Sequence, residues 1–65
     1  MSRRKNIQKR MKQHGVTQQQ LAQHSMLSVK ALNLWLDNKI TVPYVNLLRI
    51  ADLLDLEFDD IAEVV

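Results

Sequence analysis

Arg3, Arg4, Lys5, Lys9, Arg10 and Lys12 fall within the first 14 residues of this 65-residue chain, with no acidic residue among them. At the other end, Asp52, Asp55, Glu57, Asp59, Asp60 and Glu63 stand without a base. The formal net charge is only +2, but its layout predicts a polyanionic partner for the basic end. Acids at the start of a helix gain about 0.3–1 kcal/mol each from its dipole, which accounts for Glu57, Asp59 and Asp60 at the head of a last helix. The same dipole opposes Arg3, Arg4 and Lys5 at the head of the first. Attraction to phosphate is the better explanation of that cluster.

Other chemistries find little support. There is no cysteine, so neither a disulfide nor a thiolate metal site is available. His14 and His24 have no acidic partner at ligand spacing and read as solvated surface residues. No glycine-rich phosphate loop and no clustered acid–base pair occur, so no enzyme, catalytic residue, cofactor or metal is expected. No apolar run approaches the roughly 18 residues of a membrane span, and no signal-peptide pattern opens the chain, which points to a cytoplasmic protein. A chain of this length buries only roughly 60% of its unfolded surface, so one domain over residues 1–65 is expected.

The elements that must carry these charges read as helices, because apolar residues recur at three- and four-residue steps. Ile7 and Met11 mark the inner face of a first helix, capped at Ser2 and stopped by Gly15. Thr17-Gln18-Gln19-Gln20 reads as a capping box opening a second helix, with Leu21 and Ala22 inward and an end near His24. Ser28 is the next N-cap, for a third helix running to about Asn38. Pro43 fits the first turn of a fourth, with Tyr44, Leu47, Leu48, Ala51 and Leu54 as its stripe and Asp55 as a left-handed stop. A last helix is expected around Glu57, using Phe58 and Ile61. The fold class is all-α, a bundle of five short helices.

In LAQHSMLSVKALNLWL only a three-residue turn separates the second and third helices. Helices joined that tightly cross steeply, as in a helix-turn-helix, and the third is held proud of the body. On a wheel, Ala31, Leu32, Trp35 and Leu36 share the inward arc, while Lys30, Asn33, Leu34 and Asp37 face outward with Val29 at the margin.

The ordered set Thr17, Gln18, Leu21, Ala22, Ser28, Leu32, Trp35, Ala51, Leu54, Leu56 and Ile61 resembles the Cro/lambda-repressor-type (Xre-like) helix-turn-helix domains over nearly the whole chain. The resemblance implies a lambda-repressor-like bundle and sequence-specific binding of double-stranded DNA by a small phage or bacterial transcriptional repressor. It also implies a homodimer on palindromic half-sites about one helical turn apart, with helix 28–38 in the major groove. Family base-contacting positions correspond to Val29, Lys30, Asn33 and Leu34. Lys30 suits guanine, Asn33 suits adenine bidentately, and Val29 or Leu34 suits a thymine methyl. Phosphate contacts are expected from Arg3, Arg4, Lys5, Lys9, Gln18, Ser28 and Lys39, with Gln18 at the positive end of the second helix.

Three departures stand out. Met26 occupies a turn position where glycine is usual. Met11 and Leu36 replace an Arg–Glu pair, an exchange expected to be neutral or stabilising because no buried charge is stranded. The turn Lys39-Ile40-Thr41-Val42 offers one cation where several are common. An alternative remains open: Val29, Leu34, Ile40 and Val42 form an apolar patch for self-association or a protein partner on the same fold.

Overall fold

In the computed structural model, which describes residues 3–57, the chain forms α1 (Arg3–His14), α2 (Gln18–His24), α3 (Val29–Leu36) and α4 (Tyr44–Leu54), with no strand among the described residues. The starts follow from the sequence. Thr17 Oγ1 accepts from the Gln20 amide at 3.1 Å, and Gln20 Oε1 accepts from the Thr17 amide at 2.9 Å, completing the capping box of α2. Ser28 caps α3 by accepting from the Ala31 amide at 3.0 Å. Pro43 sits one residue earlier than expected: it precedes α4 as the N-cap, and Tyr44 is the first helical residue.

Every helix stops the same way, with a residue in the left-handed region: Gly15 (φ 65), Met26 (φ 60), Asn38 (φ 61) and Asp55 (φ 53). In each case the next amide bonds back over the end, as Val16 to Met11, Leu27 to Ala22, Lys39 to Leu34 and Leu56 to Ala51, at 2.8–2.9 Å. These are Schellman closures, which pair carbonyls a helix end otherwise leaves orphaned. Asn38 thus terminates α3, which ends at Leu36 and is shorter than the expected run to Asn38.

One core joins all the helices. Ile7 and Met11 of α1, Leu21 and Ala22 of α2, and Leu32, Trp35 and Leu36 of α3 are buried against Leu47, Ile50, Ala51 and Leu54 of α4. Met11 and Leu36 both belong to this core, so that seam between α1 and α3 is apolar. Ala31 is only half-buried. The expected stripe of α4 needs correction, because Tyr44 and Leu48 are exposed and Ile50 is fully buried. The buried arc is centred between Leu47 and Leu54. Leu48 lies about 100° round from Leu47 and so turns out of it. The described residues contain four helices, not five; the one expected around Glu57 with Phe58 and Ile61 lies outside them, as does the Ser2 cap.

Met26 is the anomaly among the four stops. Asn and Asp tolerate the left-handed region and glycine is at home there, whereas an ordinary side chain costs roughly 1–2 kcal/mol. Its side chain is 71% exposed, so packing returns little of that cost. Met26→Gly should therefore raise the thermal midpoint by roughly 2–8 °C after the added freedom of the unfolded chain is allowed for. A lower midpoint in a calorimetric melt would show that contacts of the Met26 side chain outweigh the backbone strain.

Candidate nucleic-acid interface

The corner between α2 and α3 is built around Ser25. Its side chain is fully buried, and Oγ donates to the Leu21 carbonyl at 2.6 Å. Its own carbonyl accepts from Asn46 Nδ2 at 2.7 Å, so α4 holds the corner from below. A buried backbone carbonyl left unpaired here would cost roughly 1–3 kcal/mol. With Met26 left-handed and Leu27 packed against the core, the chain turns sharply and restarts at Ser28.

Consequently the first turn of α3 faces solvent. Ser28, Val29 and Lys30 are exposed, Val29 to 41%. Asn33 and Leu34 are half-buried, further in than the wheel placed them. Leu34 lies where the chain closes back over the end of α3, its carbonyl accepting from the Lys39 amide. Lys5, Lys9 and Lys39 are exposed, and Gln18 is half-buried. The apolar patch also changes composition: Val42 packs against the core, and of its members only Val29 and Ile40 are exposed.

Arg3 and Arg4 have structural partners that no local pattern in the sequence points to. Arg3 Nη1 donates to the Trp35 carbonyl at 2.7 Å, and its guanidinium lies 4.8 Å from the centre of the Trp35 ring. Arg4 Nε donates to Asp37 Oδ1 at 2.7 Å, and Arg4 Nη2 reaches both the carbonyl and Oδ1 of Asn33, at 3.3 and 3.1 Å. Both cations therefore sit at the C-terminal end of α3, where the helix dipole and its last carbonyls favour positive charge. Local folding energy does account for these two arginines. The unfavourable end of α1 is set against the favourable end of α3, a pairing across about thirty residues that periodicity cannot reveal.

The arrangement also gathers Gln18 into the same network, since Gln18 Nε2 donates to Asn33 Oδ1 at 3.2 Å. Arg4, Asn33 and Gln18 are thus brought together beside the exposed turn that carries Val29 and Lys30. With Oδ1 occupied, Asn33 lacks the free acceptor that the expected bidentate contact to adenine requires. Asn46 was missed as well. A signal for it existed: it lies one turn before Ile50, a polar residue on the edge of an apolar arc.

The hydrogen bond from Arg4 is the chief reason the Asp37 carboxyl is held below its ordinary pKa, with the charges of Arg4 and Lys39 adding to it and desolvation opposing. Arg4 is correspondingly raised, again chiefly through its bond to Asp37.

A short first helix of the pair, a tight corner and an outward-facing second helix define a helix-turn-helix domain. The profile of the Cro/C1-type HTH DNA-binding domain matches residues 6–65, and the chain belongs to that family. Neither a curated protein nor a solved structure matches it significantly. Arg3, Arg4 and Lys5 precede the matched segment.

Because the folded Asp37 carboxyl is depressed, its pairing stabilises the fold above the unfolded value of about 3.9 and is lost as pH falls through the lower folded value. Asp37→Asn should therefore flatten the acid side of the stability profile. Urea unfolding at pH 7 and pH 3 checks this: the variant should lose less between the two than the parent, and equal losses would show that the ion pair contributes nothing.

Proposed function

We propose that the chain is a small transcriptional repressor of phage or bacterial type that binds an operator in double-stranded DNA, with α3 in the major groove. The observation that carries this reading is the corner at residues 25–28, which leaves Val29 and Lys30 exposed while Leu32, Trp35 and Leu36 anchor the same helix in the core. An anchored helix with a solvent-facing first turn can present side chains to base edges without losing its register.

In this reading Lys30 donates to guanine O6 and N7, Val29 and Leu34 lie against thymine methyls, and Asn33 reads a neighbouring base. Lys5, Lys9, Gln18, Ser28 and Lys39 contact phosphate, while Arg3 and Arg4 act first as struts between α1 and α3 and add positive charge beside the DNA backbone. The whole of residues 1–65 acts as one DNA-binding unit and pairs as a homodimer on a palindromic site. Tyr44, Val45 and Leu48, exposed together on α4, offer apolar surface for that self-association. The same surface is what favours the second reading, a protein-interaction module of this fold.

Binding measured on a selected duplex and on random sequence, each across a salt series, tests the assignment. Lys30→Ala should cost about 1–3 kcal/mol on the selected site and almost nothing on random DNA. Lys9→Ala and Lys39→Ala should weaken both equally and lower the salt slope by about 0.9 for each phosphate no longer neutralised. Equal losses for all three on every sequence would remove the readout role from α3. Absence of retention on DNA above low ionic strength would favour the protein-interaction reading.

A further inference from the structure

The side-chain oxygen of Asn33 has two lone pairs, and both are taken. Arg4 Nη2 donates to it at 3.1 Å and Gln18 Nε2 at 3.2 Å. A guanidinium has no acceptor, so the Asn33 amide cannot be turned round without facing donor to donor. Arg4 is itself fixed, through Nε on Asp37 at 2.7 Å and Nη2 on the Asn33 carbonyl at 3.3 Å. On the other side of the amide, Nδ2 donates one hydrogen to the Val29 carbonyl at 3.1 Å. That leaves its second N–H as the one group Asn33 can offer a base.

We infer that Arg4 and Gln18 hold Asn33 as a pure hydrogen-bond donor, so that it reads acceptors in the major groove and does not select adenine. Bidentate recognition of adenine needs a carbonyl to accept from the adenine N6 amino group while the amide donates to N7. Here both lone pairs of that carbonyl are spent inside the protein, one on a charge-assisted bond from Arg4 and the other on the Gln18 amide. A lone donor matches purine N7, guanine O6 or thymine O4 alike. Arg4 is then a positioning residue for base preference, acting from α1 through a side chain on α3. This rests on the proposal that α3 enters the major groove.

The test is a base-preference profile from random duplexes for the parent, Asn33→Ala, Arg4→Met and Gln18→Ala. Asn33→Ala locates the position, as the one whose preference flattens. There the parent should bind adenine and guanine within threefold of each other. Arg4→Met, or Gln18→Ala if Arg4→Met does not fold, frees a lone pair and should raise preference for adenine over guanine at least fivefold. The geometry is also read without DNA: in the free protein the Asn33 side-chain amide should give a resolved, rigid pair of NMR signals that moves toward random-coil shifts in Arg4→Met.

A parent that prefers adenine at least fivefold, variants whose profile matches the parent's, or an Asn33→Ala profile unchanged everywhere would each overturn the inference while leaving DNA binding in place. A parent that retains no duplex would instead remove the functional reading beneath it, with the amide signals still reporting the network.

Discussion

The carbonyl of Ser25 must be satisfied in a place water does not reach, and the amide of Asn46 supplies its partner at 2.7 Å. Much follows from that constraint. With the Ser25 hydroxyl turned back onto α2 and Met26 forced left-handed, the chain leaves α2 in one direction only. Ser28 then restarts the helix with its first turn in solvent and its last turn in the core. A longer, looser connection would let α3 lie flat against α2 and bury the residues that now face outward. The strain at Met26 is the cost of a turn this short without glycine.

Charge does a second kind of work. Arg3 and Arg4 stand at the wrong end of α1 for its own dipole and the right end of α3 for that helix's. They close the gap between the two helices with bonds to Trp35, Asn33 and Asp37. A basic cluster can therefore serve folding and still contribute to a positive field beside the exposed first turn of α3. Burial lowers the pKa of Arg3 somewhat, but a guanidinium stays charged at any ordinary pH. The clamp does not depend on neutral conditions except through Asp37.

What could be read from residues alone was local. The capping box at Thr17, the cap at Ser28, the stops at Gly15 and Asp55 and the inward faces of α1 and α2 each depend on neighbours within four or five positions, and all are present. The same short range explains the errors. Tyr44 and Leu48 fit an apolar stripe by spacing, yet only the position of the other three helices decides where the arc of α4 is centred. Asn33 reads as a free outward amide by spacing because neither residue that occupies its oxygen lies within one helical turn; its partners lie 15 and 29 residues away. Side chains that act by contacting distant ones have no periodic signature.

Amide chemical-shift mapping of the free chain against a selected duplex bears most directly on the central claim, that the corner presents α3 to the groove. The largest changes should fall on Gln18, Val29, Lys30 and Asn33, with the buried residues of α3 little affected. Changes confined to Tyr44, Val45 and Leu48 of α4, with α3 unmoved, would contradict it.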